Sequence, residues 1–248
     1  MLLLAANPLQ PLIDLANEVL TFFHDDVGVS WGVSIILLTI VTRIVILPLS
    51  LKQIRSMRSL QAHQPEIKKI QQKYKDDRQR MQREMMEFYK ENKINPLASC
   101  VPLLLQLPVF LALFYLLRSD EFKDEITAPG SDPNFFGIPL HEEATGAALA
   151  ILVILYFVTM VGSTSIMAAS AEGNQRLLMY ALPVVFTPFI ISFPAGLVIY
   201  WITTNVWTMG QQWVVKKLIP PPPKEVEDQK QAAKAPPPPP PRKKKRRR

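Results

Sequence analysis

Charge is almost wholly excluded from five long apolar runs, and that segregation limits what this chain can fold into. The runs are Trp31 to Leu51, Pro96 to Leu117, Ala148 to Ala168, Leu177 to Phe193 and Gly196 to Val215. At about 20 residues, each is long enough for a helix to cross roughly 30 Å of hydrocarbon. All 21 acidic residues and all but one of the 28 basic residues lie outside them. The chain average of 48% hydrophobic and 20% charged residues would suit an ordinary basic soluble protein, so the average conceals the pattern. The expectation is an all-α membrane protein with five transmembrane helices: residues 31–51, 96–117, 148–168, 177–193 and 196–215.

The intervening segments differ in charge. Residues 1–30 hold four acids and no Lys or Arg, and 118–147 hold two basic residues against seven acidic. Residues 52–93 hold twelve basic against six acidic, and the tail after Val215 holds twelve against three. Lys and Arg collect in cytoplasmic loops, so the expected N-terminus is outside and the C-terminus cytoplasmic, a parity that five spans satisfy.

Residues 1–30 read as an external amphipathic segment, with Leu12, Leu15, Val19, Leu20 and Phe23 on one face, resting at the outer membrane surface. Met1 to Ala6 lacks the pattern of a cleaved signal peptide, and no cysteine near the start could take a lipid anchor. Residues 52–94 read as a cytoplasmic helical hairpin. Ile54, Met57, Ile67, Ile70 and Tyr74 lie on one helix, and Met81, Met85 and Phe88 on a second, with the turn at Lys75-Asp76-Asp77. Residues 118–147 read as an external loop with irregular turns at Pro129-Gly130 and Asp132-Pro133. Spans four and five, joined by Ser192 to Ala195, are expected to pair tightly. Residues 216–248 form a Pro-rich basic tail expected to be disordered. The lone Cys100 excludes an intrachain disulfide.

The basic residue inside a run is Arg43. A charge near the bilayer centre costs roughly 2.5–3.5 kcal/mol on insertion scales, so such residues face a partner or a hydrated cavity. No run supplies a carboxylate, which leaves water, a passing ligand, or snorkelling towards the cytoplasm. Thr39 and Ser50 share the face of Arg43. Further polar faces carry Asn95, Ser99 and Gln106 in the second span, Thr159 and Ser163 in the third, and Trp201, Thr204, Asn205, Thr208, Gln211 and Gln212 in the fifth. Either these residues bond helix to helix, or they converge on a hydrated groove lined by Arg43, Thr39, Gln106, Ser163, Trp201, Thr204 and Asn205.

Several motifs resemble the YidC/Oxa/Alb membrane protein insertases. Phe193-Pro194-Ala195-Gly196-Leu197-Val198-Ile199-Tyr200-Trp201, followed by Asn205 and Gln211-Gln212-Trp213, is similar to that family's last core span. Asn95-Pro96 with Leu105 to Phe110 resembles its second, Thr42-Arg43 with Pro48-Leu49 its first, and Gln64 to Tyr74 with Glu84-Met85-Met86 its hairpin. The order is right from about Pro8 to Trp213. The resemblance implies five helices around a groove open to the cytoplasm and to lipid, with Arg43 at the family's arginine. It is closest to short bacterial forms without a large external domain, in the plasma membrane.

The function so implied is insertion and folding of newly made membrane proteins, alone or with the Sec translocon, without cofactor or nucleotide hydrolysis. Met57, Met81 and Met85 suit contact with varied apolar helices; the same hairpin could instead rest on anionic headgroups. The run Arg242, Lys243, Lys244, Lys245, Arg246, Arg247 and Arg248 attracts any polyanion: ribosomal RNA, membrane lipids, or neither if it only sets topology. A transporter would show internal repeats or an intramembrane acid, and neither is present. An enzyme is disfavoured because His24, His63 and His141 lie outside the runs and no nucleophile or zinc motif occurs.

Overall fold

The computed structural model describes residues 8–92, 101–168 and 173–218. Among them the fold is helical apart from one small hairpin. Helix α1 (Gln10–Thr21) passes through a π-helical turn at Phe22–Asp26 into α2 (Trp31–Val45) and α3 (Leu47–Ala62). Helices α4 (Gln64–Lys73) and α5 (Arg78–Glu91) follow, then α6 (Val101–Leu117) and α7 (Asp120–Ile126). Strands β1 (Asn134–Phe135) and β2 (Ile138–Pro139) pair antiparallel, and α8 (Gly146–Ala168), α9 (Gly173–Ile190) and α10 (Ala195–Leu218) complete the bundle.

The first apolar run is not one straight helix. It breaks at Ile46, and α2 meets the start of α3 at 58°. Pro48 is the cause: it has no N–H to give, and its ring collides with the carbonyl four residues back, so it fits only the first turn of a new helix. The break places Arg43 in the last turn of α2. There the free carbonyl ends favour a cation by about 0.3–1 kcal/mol. A second break at His63, with Pro65 in the first turn of α4, divides what reads in sequence as one hairpin helix.

The hairpin turn falls at 74–77, as the sequence suggests. Asp77 caps α5 by accepting from the Arg80 N–H at 2.9 Å, and Lys73 and Arg80 each lie 5.0 Å from the centre of the Tyr74 ring. Ile67 is buried and the His63 and Phe88 rings meet edge-on at 5.9 Å.

Helix α10 runs along α8 and α2, whereas α9 lies against α8. The short 192–195 connection therefore does not make α9 and α10 the tight pair expected from its length. Close approach of α8 and α10 is set instead by Gly162, where an added Cβ would sit 3.2 Å from the Met209 sulfur. By length and composition one helix, Gly146–Ile166, could cross a membrane unaided, and Trp31–Val45 with Leu47–Ile54 could do so as a bent pair. Gln106–Leu117 and Met179–Ile190 are shorter apolar helices. The 24-residue α10 is long enough, but its Thr, Asn and Gln residues dilute its hydropathy.

Packing is lopsided along the bundle. The largest fully buried side chains, among them Trp31, Leu113, Leu117, Phe122, Ile126, Leu140 and Leu197, gather where α2 and α10 begin and α6 ends. The Trp31 ring stacks on His24 at 4.1 Å, meets Phe122 edge-on, and donates from Nε1 to Ser131 Oγ at 2.7 Å. Residues 118–147 are thus more ordered than an irregular loop: Ser119 caps α7, which buries Phe122 and Ile126. The carbonyls of Glu142 and Leu140 accept from the Ala195 and Gly196 N–H groups at 2.8 and 2.9 Å, closing the first turn of α10. Gly196 permits that approach, since a Cβ there would lie 3.0 Å from both Ile35 Cδ1 and the Leu140 oxygen. Arg118 adds a bond to the Ser192 carbonyl at 2.7 Å and lies 3.8 Å from Glu143.

Helix α1 joins this sealed end by packing on α6 and α2. Ile13, Ala16 and Val19 touch the core and Leu20 is fully buried, while Leu15 faces outward. The buried stripe is rotated from the one read in sequence, because the helix is covered by protein on the side facing α6. Away from that end Val41, Ile44, Val45, Leu107, Val206 and Val214 are exposed, as are Tyr115, Ile151 and Phe189 on the outside of the sealed end itself.

Candidate functional site

Three helices bring polar side chains together below the sealed end. From α2, Arg43 is half-buried and, among the described residues, makes no ion pair and no side-chain hydrogen bond. Its electrostatic neighbour is Tyr200 of α10, a side chain only 2% exposed. From α6, Gln106 Nε2 donates to the Tyr200 hydroxyl. One turn further along α10, the buried Thr204 hydroxyl lies beside the Tyr200 phenol.

The sequence reading named Arg43, Gln106 and Thr204, and each of them lies beside Tyr200. It missed Tyr200, the residue that joins them. The available signal was its spacing: Tyr200, Thr204 and Thr208 stand at successive intervals of four on α10, one stripe of a helix. The Thr208 hydroxyl itself donates to the Thr204 carbonyl at 2.8 Å.

The other named residues make contacts of their own. The Thr39 hydroxyl is buried and donates to the Ile35 carbonyl at 2.7 Å, and Ser163 is likewise turned back on its own helix, to Met160 at 3.0 Å. Asn205 Nδ2 donates to Thr159 Oγ1 at 3.4 Å, a bond between α10 and α8. Trp201 is the centre of an aromatic cluster. Its ring stacks on Phe110 at 5.0 Å and meets Phe193, Tyr156 and Phe186 at 5.4, 5.9 and 6.3 Å. Turning 100° per residue, α10 thus presents Tyr200 to Gln106 and Arg43, Trp201 to a ring cluster drawn from α6, α8 and α9, and Asn205 to α8.

In the hairpin, Met81 and Met85 are half-buried, with the Met85 sulfur 4.0 Å from Gln71 Nε2, and Met86 is exposed. The Met57 side chain, Asn95, Ser99 and the basic run 242–248 lie outside the described residues.

A cation held in a half-buried site, with a phenol beside it and no acid, is suited to receiving a carboxylate or polar backbone rather than to covalent chemistry. Residues 22–222 match the family model described as 60Kd inner membrane protein. The chain belongs to this family. A 60Kd inner membrane protein relative from Streptomyces avermitilis, named membrane protein insertase YidC, is 39% identical over 225 residues, 78% of this chain and 53% of the relative. One of the same name from Francisella tularensis subsp. novicida is 39% identical over 200 residues, covering 80% of this chain and 34% of the relative. The chain therefore spans about half the length, or less, of these relatives. A crystal structure described as an active YidC insertase with the first transmembrane domain resolved has the same fold, with a TM-score of 0.61 at 23% identity over 79% of this chain and 45% of that one.

Proposed function

We propose that this protein inserts newly made membrane proteins into the lipid bilayer, and that the Arg43, Gln106, Tyr200 and Thr204 cluster receives the polar part of the client. The observation that carries this reading is Arg43: a half-buried guanidinium with no acid to neutralise it among the described residues, below the sealed end of the bundle. In this reading α2 with the start of α3, α6, α8, α9 and α10 are the five spans. The Trp31 end faces outward, and the hairpin and C-terminus face the cytoplasm.

Moving a polar or acidic terminus through hydrocarbon is the costly part of insertion. A wet groove reaching partway across shortens the path, and Arg43 supplies transient charge complementarity within it. The sealed Trp31 end keeps the groove from becoming a channel. The client's apolar helix then leaves sideways into lipid, where burial contributes roughly 25 cal/mol per Å². No nucleotide or covalent intermediate is needed. Met81, Met85 and Met57 would hold the nascent helix at the hairpin, the tail from Arg242 to Arg248 would contact ribosomal RNA, and the Sec translocon would share larger clients.

The test is reconstitution of the purified protein in liposomes with a small single-span client bearing an acidic external tail. Protease-protected client should appear with the wild-type protein and fall sharply with Arg43→Ala. Solute flux without client insertion would replace this reading with that of a transporter.

A further inference from the structure

The turn between β1 and β2 carries a residue that the fold alone does not call for. Phe136 and Gly137 are its two central residues, with φ of 51° and 76°, the left-handed pair of a two-residue hairpin turn. Asn, Asp or Gly is favoured at the first of these positions; for a bulky side chain a positive φ is an outlier. Phe136 is moreover 90% exposed, the most exposed large apolar residue among those described. An aromatic ring that is both strained and unburied works against stability, and strain of this kind points to a role beyond the molecule's own fold.

The position of the turn limits what the ring can meet. Neighbouring Phe135 packs directly over Gly32, where any Cβ would overlap its ring, so β1 is pinned beside the second residue of α2. If α2 spans the bilayer as proposed above, the turn stands at the level where that span enters lipid. The same end of the molecule exposes Leu15, Phe22 and Val27, each about half accessible. Trp and Tyr are enriched at this depth, and Phe and Leu supply the buried face of segments that lie in the headgroup–hydrocarbon boundary.

We propose that Phe136 anchors the β1–β2 turn in the interfacial region of the outer leaflet. The occupant of this surface is lipid, continuous with the apolar exterior of the spans. The anchor holds residues 133–142 against the ends of α2 and α10, and so helps to keep the Trp31 end closed while a client occupies the groove.

The experiment uses the full chain in phosphatidylethanolamine and phosphatidylglycerol vesicles, with Cys100→Ser removing the native thiol. Phe136→Cys, Asp124→Cys and Val158→Cys are each labelled with an environment-sensitive fluorophore. At position 136 the emission should be blue-shifted relative to 124 and quenched by lipids carrying a headgroup-level nitroxide; at 158, on the exposed apolar face of α8, quenching by acyl-chain nitroxides is expected. Lipid quenching at 158 with water-like emission at 136 would overturn the anchor alone. Water-like behaviour at both would overturn the spanning arrangement and the anchor with it. A label at 136 shielded from lipid and aqueous quenchers alike would place it against protein and also overturn the anchor.

Discussion

Gln106 on α6 donates its side-chain amide to the hydroxyl of Tyr200 on α10, a residue 94 positions away that also lies in the field of Arg43. The bond connects two helices on the wall of the polar cluster and keeps the phenol beside the guanidinium.

Tyr200→Phe deletes that hydroxyl and leaves the Gln106 amide without its partner. Leaving a fully buried donor unmade costs about 1–3 kcal/mol; Gln106 is part-buried, so stability should fall by the lower part of that range, lowering the melting temperature. Client insertion should fall with it. Tyr200→Phe combined with Gln106→Leu should recover most of the stability, measured in detergent by thermal unfolding, but not the insertion rate. Recovery of both would make the pair a packing feature only.

Arg43→Glu reverses the charge proposed above to meet the client. A hydrogen bond to a charged group contributes about 1.5–3 kcal/mol, equivalent to roughly ten- to a hundredfold in rate. Clients with acidic tails should slow by that factor, while clients whose tails carry Lys in place of Asp should be slowed much less. Equal slowing of both kinds in the liposome assay would show that charge complementarity is not what Arg43 provides.

Gly196 and Gly210 lie on the same helix and should respond oppositely to alanine. At Gly196 the new Cβ meets Ile35 and the Leu140 carbonyl at 3.0 Å, and overpacking of this kind costs about 1–3 kcal/mol. At Gly210 nothing lies within 4 Å, so Gly210→Ala should be neutral or stabilising by up to about 1 kcal/mol. Chemical denaturation of the two variants side by side decides the matter, and a tolerated Gly196→Ala would mean the α10 start is looser than its hydrogen bonds suggest.

Glu125, on α7 at the sealed end, has its carboxyl pushed above the usual carboxylate range, first by burial and further by Asp25 and Glu121, against the opposing effects of an Asn17 hydrogen bond and His24. The folded state therefore binds this proton more tightly than the unfolded chain. Stability from this group is present in full below the ordinary carboxylate value and is lost as pH rises through the raised one. Glu125→Gln should raise the melting temperature at neutral pH and flatten its dependence on pH across that window. A variant that loses stability at neutral pH would show that the ionised carboxylate is needed.

Much of the architecture is readable without coordinates because it depends on local composition. Charge exclusion marks the apolar helices and Lys75-Asp76-Asp77 marks the hairpin turn, whereas the break before Pro65 hides in an amphipathic pattern that continues across it. Arg43 stands out because it is a charge where the chain otherwise allows none, and Gln106 and Thr204 because amides and hydroxyls in apolar helices require partners. Trp201 and Asn205 mislead for the same reason that they attract notice. A polar or amphipathic side chain on a helix has a direction as well as a position, and a turn of 100° from Tyr200 to Trp201 takes it from the polar cluster to the rings of Phe110, Phe193, Tyr156 and Phe186.

By itself the sequence determined that the chain must be a bundle of apolar helices with one uncompensated cation and a basic helical hairpin, since those properties follow from which residues are adjacent. Only the tertiary structure decided that Tyr200 is the partner of Gln106, that α9 lies on α8, and that residues 140–142 close the start of α10. Each depends on contact between segments tens of residues apart, and such contacts are chosen by shape: where a glycine allows two backbones to approach, and where a ring fills the space that remains.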